Sequence, residues 1–169
     1  MACTISSNYT LGCNDGVGGI DKVFIANYSA STTYTLSADN TITGVTSGGT
    51  FYSHEMPKEA ASFNENSTTS GEFGTNSTEQ ILTLRFNKYS AALRDRVLLL
   101  MQARTRVIVK FVSGSYFLMG KSFGCDGQTG TGTSGKAFTE GNGWTITLRA
   151  TEIAPADAIS SGAVAAISV

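Results

Sequence analysis

Glu79-Gln-Ile-Leu-Thr-Leu-Arg-Phe-Asn-Lys88 leads into Tyr89–Arg104 and then into Thr105-Arg-Val-Ile-Val-Lys-Phe-Val112, and the hydrophobic period changes twice along the way. In the first segment Leu82, Leu84 and Phe86 fall on one face and Thr83, Arg85 and Asn87 on the other, the period-2 pattern of a strand. In the second, Ala92, Leu93, Val97, Leu100 and Met101 recur at helical spacing, with Arg94, Asp95, Arg96, Gln102 and Arg104 largely between them. No Gly or Pro interrupts this helix. Asn87 or Ser90 can cap its start, and Arg104 and Arg106 suit the negative pole at its end. The third segment is β-branched and reads as a strand. Ser113-Gly114-Ser115 then turns the chain into a partner, Tyr116–Met119.

Working outward, the rest of the chain is predicted to be extended. Lys22–Tyr28 reads as a strand after the glycine-rich Val17–Gly19. Thr33–Ser37 and Thr41–Thr46 flank the turn residues Asp39-Asn40 as a hairpin. Phe51–Phe63 reads as one extended segment, bulged or at a sheet edge because Pro57 donates no ladder hydrogen bond. Asn64–Ser77 is polar, with Gly71 and Gly74, and reads as a functional or mobile loop. Gly120–Gly135 reads as a Gly/Thr/Ser loop, and Gly143–Glu152 as the last strand. The tail 154–169 has Asp157 as its only charge, so it is expected to pack on its own domain or on a neighbour. Roughly eight short strands and one flanking helix near 89–104 predict a single mainly β domain spanning 1–169, a β-sandwich or partly closed antiparallel barrel.

Composition bounds the function. The 169 residues are 41% hydrophobic, enough for a core, and only 15% charged, below the roughly 25% of ordinary domains. No apolar run approaches the ~18 residues of a membrane span. Met1–Ile5 has neither a basic nor an apolar leader region, so no secretory signal is expected. The sequons at Asn8, Asn27, Asn66 and Asn76 then read as products of an Asn/Ser/Thr-rich chain. Cys3, Cys13 and Cys125 are too few for a disulfide framework and read as thiols of a reducing compartment. With one histidine, His54, a structural zinc has too few ligands.

Catalytic signatures are weak. Gly16-Val-Gly18-Gly19-Ile-Asp21 lacks the third glycine of a dinucleotide fingerprint and opens onto a strand. No P-loop, nucleophile elbow or His-Glu-x-x-His occurs. His54 reads as structural, although a triad with Cys13 or Cys125 would be assembled in space rather than in sequence. Glu55, Glu59, Glu65 and Glu72 read as solvated acids rather than a catalytic pair. No enzyme, cofactor or metal is expected.

The net charge of −1 hides a split. Residues 1–80 carry 8 acids and 2 bases (−6), 81–120 carry 7 bases and 1 acid (+6), and 121–169 carry 3 bases and 4 acids (−1). Three readings are open: compensation within one surface, a head-to-tail contact between copies, or, more weakly, a nucleic-acid patch.

The order of segments carries a resemblance. Asn14-Asp-Gly-Val-Gly-Gly-Ile20, Val23-Phe-Ile-Ala26, Phe51–Glu59, Ala60-Ala-Ser-Phe63 and Glu79–Phe86 come first. The helix Ser90–Arg104, Val107–Val112, Tyr116–Gly120, Ser134-Gly-Lys-Ala137, Asn142–Leu148 and Glu152–Ala156 follow. In this order the chain resembles the major tail tube proteins of tailed bacteriophages.

The resemblance implies rings of roughly six copies, each giving four strands to a shared barrel of about 24 strands, stacked into a tube that conducts double-stranded DNA. Strands ~4.8 Å apart and tilted ~35–45° would leave a lumen of roughly 35–42 Å, wide enough for a duplex. Its wall is expected to be acidic or neutral, because a basic one would hold phosphates. Glu55, Glu59, Thr83 and Arg85 are the lumen candidates, on the expectation that 51–63 and 79–88 run together. Asn66, Gly71, Glu72 and Phe73 of the loop, the helix bases Arg94, Arg96 and Arg104, and Val164 and Ile167 of the tail are the assembly candidates.

The implied partners are copies of itself, the tape measure, terminator and baseplate proteins, and the passing DNA without sequence-specific binding, with no membrane. The implied place is the virion tail, assembled in the host cytoplasm. Alternatives are a tail terminator, a head-tail connector or a capsid decoration protein. From another class comes a carbohydrate-binding β-sandwich, for which Trp144 and Tyr116 would be the aromatic platform.

Overall fold

The computed structural model describes residues 9–10 and 16–169. Met1–Ile5, Asn8, Cys3, Cys13 and Asn14-Asp15 lie outside them. Eleven strands and two helices follow in chain order among the described residues. They are β1 (Ile20–Asn27), β2 (Thr33–Leu36), β3 (Ile42–Thr46), β4 (Tyr52–Glu55), β5 (Ala61–Ser70), β6 (Thr75–Asn87), α1 (Ala91–Gln102), β7 (Thr105–Phe111), β8 (Tyr116–Met119), β9 (Asp126–Thr133), β10 (Gly143–Glu152), β11 (Asp157–Ala158) and α2 (Ser161–Ile167). The protein is mainly β and sandwich-like, with antiparallel sheets and no closed barrel.

The five-stranded sheet has the order β11-β8-β7-β1-β4 and the four-stranded sheet β5-β6-β10-β9; β2 and β3 form a separate hairpin. β1 and β7 pair at the centre, Val23 opposite Val109 and Ile25 opposite Val107. Their apolar runs do not alternate with polar residues because both faces are covered. Val23, Ile25, Val107 and Val109 pack with Leu82, Leu84, Ile146 and Leu148 of the four-stranded sheet. Phe24, Ala26 and Ile108 point the other way and meet Ile42, Phe51, Ile159 and Val164 under the β2–β3 hairpin and α2. The five-stranded sheet is therefore a partition between two cores.

Several sequence expectations are corrected. Phe51–Phe63 is not one strand. β4 pairs with β1, and a turn closed by the Ala60 N–H donating to the Pro57 carbonyl carries the chain to β5 in the other sheet. Glu59 in that turn has φ of 58°. The segment 64–77 is not a loop but the distal part of the β5–β6 hairpin, paired from Ala61–Leu84 to Ser70–Thr75. Alternating Asn, Ser and Thr concealed it, because those residues favour turns in an unpaired chain. A second helix, α2, lies in the tail, which packs on its own domain: Ala163 and Val164 are buried. The main helix is as read, capped by the Ser90 side chain accepting from the Leu93 N–H.

The segment 120–135 is likewise largely strand. β9 pairs with β10, placing Gly127 opposite Leu148, Gly130 opposite Ile146 and Gly132 opposite Trp144, that is, on the inward face. α1 packs on that face. A Cβ on Gly127 would lie 2.7 Å from the Met101 Cα, whereas one on Gly130 would meet side-chain atoms of Met101 and Val97 at ordinary contact distances, the nearest the Met101 Sδ at 3.5 Å. Gly127 and Gly130 thus seat the helix, whereas Gly132 lies against Trp144 and Tyr89.

Gly127→Ala is expected to lower stability by about 1–3 kcal/mol by pushing α1 off β9. Gly130→Ala should be neutral or slightly stabilising, since it removes chain entropy without a backbone clash. Urea melts of the two variants check this, and equal losses would refute the close seating at Gly127.

Candidate assembly interface

The four-stranded sheet turns one face inward to the core and the other to solvent. One cross-strand row of the outer face runs Thr129, Thr147, Thr83, Ser62, and the next contains Thr131, Thr145 and Arg85. Short hydroxyl side chains dominate. The charges on its two central strands are Glu79, Arg85 and Arg149, and Arg149 Nε lies 2.5 Å from Glu79 Oε1. Arg85 folds over the backbone of the adjoining turn, its guanidinium occupying the space a Gly141 side chain would need. The face is close to neutral.

Its two edges are open. Among the described residues no strand pairs with the outer side of β5 or of β9. Both strands are long, uncapped by Lys or Pro, and carry one acid each. Soluble proteins usually blunt such edges with charge, proline or a covering segment. The five-stranded sheet does so: residues 167–169 hydrogen-bond along β4 through Phe51 and Ser53, and the opposite edge, β11, is two residues long.

Towards the Glu152 end of β10 the inner face turns polar. Gln80, fully buried, donates to Glu65 Oε1 and accepts from the Gly120 N–H. Glu65 also accepts from the Ala156 N–H at 2.7 Å. Glu65 is exposed, as its reading as a surface acid expects, and through these contacts it also ties down the root of the hairpin. Beyond Thr78, β5 and β6 pair only with each other, so the hairpin projects as an arm with Gly71, Glu72 and Phe73 exposed in its turn.

The structure separates the lumen candidates. Thr83 and Arg85 share the outer face of β6. Glu55 sits at the end of β4, paired with Lys22 at 2.8 Å, and Glu59 is in the turn. Neither lies on the four-stranded sheet, because Pro57 marks a crossing between sheets rather than a bulge. Among the assembly candidates, Asn66 is exposed on β5. Arg94 pairs with its neighbour Asp95 at 3.3 Å, and Arg104 with Asp126 at 3.5 Å. Arg96 forms no ion pair among the described residues. Val164 is buried in its own domain and Ile167 packs against the same core, so Val164 offers no surface to a neighbour. Trp144 and Tyr116 make no common platform: Trp144 packs against the first core and stacks on the exposed Tyr89, with ring centroids 5.5 Å apart, and Tyr116 packs beside Phe24 against the second.

The titratable groups are structural in character. His54 Nδ1 is 2.9 Å from the Tyr52 carbonyl, and its ring meets Phe86 edge-on. Burial holds its pKa below the ordinary value, with the Arg96 charge adding to that and the carbonyl contact opposing it. Cys125 is buried, and burial pushes its thiol up, away from the thiolate a nucleophile needs. No group of three His, Cys, Asp or Glu side chains able to hold a metal occurs among the described residues, and no helix is long and apolar enough to cross a membrane. Arg106, missed in the sequence because its neighbours are apolar, is buried with its guanidinium over the rings of Tyr28 at 4.5 Å and Tyr34 at 5.6 Å. The Tyr34 hydroxyl has no hydrogen-bond partner among the described residues, and burial raises its pKa to about 12.

Comparison with known proteins returns no matching family model, no matching curated protein and no matching solved structure.

Two outcomes follow for the buried groups. The unfolded chain protonates His54 more readily than the native one, so stability should fall as pH drops through the ordinary imidazole value of 6.5. His54→Gln should flatten that step in urea midpoints measured across it, and an unchanged step would assign it to another group. Tyr34→Phe keeps the ring and removes an unpaired hydroxyl, so its stability should match wild type or rise by up to about 1 kcal/mol. Arg106→Ala should cost about 2–4 kcal/mol. A Tyr34→Phe loss as large as that of Arg106→Ala, measured by thermal melts, would contradict the unpaired hydroxyl.

Proposed function

We propose that the protein is a self-assembling structural subunit of the bacteriophage tail-tube type, forming rings by edge-to-edge addition of its four-stranded sheet. The observation that carries this reading is the pair of open edges. In the order β5-β6-β10-β9 every neighbour is antiparallel, so with an even number of strands the two edges run in opposite directions. β9 of one copy set beside β5 of the next therefore continues the antiparallel ladder. The contact is heterologous, joining two different surfaces, and such contacts close into rings or extend into filaments.

The four strands equal the number that the tail-tube resemblance implies for each copy. The near-neutral, threonine-rich outer face suits a bore through which DNA must slide, since a lysine- or arginine-rich wall would bind phosphates and release counterions. With that face inward, α1 and the five-stranded sheet lie outside. Thr83 and Arg85 then remain wall residues, and Glu55 and Glu59 belong to the outer body.

Negative-stain microscopy of the purified protein at high concentration is expected to show rings or stacked tubes, and monodisperse monomers would refute the reading. Asn66→Pro and Ser67→Pro refine the test. Adjacent strand residues point their N–H groups to opposite sides, so one variant removes a donor to β6 and the other a donor to the open edge. The edge variant should fold like wild type by circular dichroism and fail to assemble. Assembly by both folded variants would exclude β5 as the joining edge.

A further inference from the structure

A second surface, away from these sheet edges, leaves large apolar side chains exposed around a depression. Tyr52, His54, Arg96, Leu99, Ala103 and Val169 line a depression of about 330 Å³ between β4 and the C-terminal half of α1. Leu99 and Tyr52 are 65% and 60% exposed, although a helix residue of that size ordinarily faces a core. Arg96 stands at the rim without an ion pair among the described residues. The arm ends in an exposed aromatic beside an acid. A strand rise of ~3.3 Å per residue carries Thr75 about 10 Å beyond Thr78, and the turn at that end presents Phe73, which is 76% exposed. Glu72 precedes it, and residues 64–77 hold two acids and no base. A two-stranded ribbon ending in a bare aromatic is marginal in water by itself.

We infer that the arm tip of one copy docks into this depression on another copy, Phe73 covering Leu99, Ala103 and Tyr52 while Glu72 pairs with Arg96. The occupant is a second copy rather than the same chain. β5 is paired with β6 along its whole length, up to the turn, so the tip cannot fold back onto its own body. Charge selects the match, an acidic tip meeting a basic rim, and it gives a physical place to the split between residues 1–80 and 81–120. The contact is distinct from the β9–β5 edge and lies at the far end of the hairpin, so it joins copies along a different direction from the ladder. It rests on the self-assembly reading above and adds a second joint to it.

The test uses the full chain. Phe73→Ala, Glu72→Lys and Arg96→Glu should each raise the concentration needed for assembly, measured by sedimentation, by about tenfold or more, with circular dichroism unchanged. The Glu72→Lys/Arg96→Glu double variant should recover most of the loss. Wild-type protein that never assembles overturns both this inference and the ring reading. Wild-type-like assembly by Phe73→Ala and Glu72→Lys overturns the docking alone and leaves the edge contact standing. Loss in the single variants without recovery in the swapped pair overturns the Glu72–Arg96 pairing. Leu99→Asp supplies an independent check from the receiving side and should reproduce the Phe73→Ala defect; normal assembly by that variant would overturn the depression as the receiving site.

Discussion

β1 and β7 bring large apolar side chains to both faces of one sheet, and neither face can be left in water. Val23, Ile25, Val107 and Val109 need one cover, Phe24, Ala26 and Ile108 another. At roughly 25 cal/mol per Å² of apolar surface, covering each face is worth many times the contribution of any surface ion pair here. The four-stranded sheet and α1 close the first side. The β2–β3 hairpin and α2 close the second. The tail is thus committed to its own domain, held by Ile159, Ala163 and Val164.

The second sheet is built under a different constraint. Only its inner face is apolar, and only over the length that meets the five-stranded sheet. Past Leu82 the inner positions become Gln80 and Thr78, and the strands continue as a polar arm rooted by Glu65 and Gln80. On the far side, β9 gives up side chains at Gly127 and Gly130 where α1 lies against it, and at Gly132 beneath Trp144 and Tyr89. What remains is a sheet with a finished interior and unfinished margins. Among the described residues no strand covers its hydrogen-bonding edges and its arm tip is exposed, which is the property that the proposed assembly uses.

Much of the fold was legible. Leu82, Leu84 and Phe86 face inward as their alternation predicts, the helix begins at the Ser90 cap, and Thr105–Val112 and Tyr116–Met119 pair through their turn. The failures share a cause. Asn64–Ser77 and Gly120–Gly135 have compositions that favour turns, and they become strands because a neighbour supplies the ladder and, at β9, because a helix needs glycine beneath it. Pro57 was seen as an interruption, but not as the point where the chain leaves one sheet for the other. That hidden crossing placed Glu55 and Glu59 beside Thr83. Phe73 is a candidate in the sequence only as part of the segment 64–77, whereas Leu99 is hidden among the leucines of a helix.

The sequence by itself determined the element types wherever a hydrophobic period is strong, the apolar character of the partition and the uneven distribution of charge, because these are properties of local side-chain order. Only the tertiary structure decided which strands share a sheet, which edges stay open and which acid faces which base. Those depend on pairings between residues far apart in the chain, and a backbone hydrogen bond carries no record in sequence of the partner it will meet.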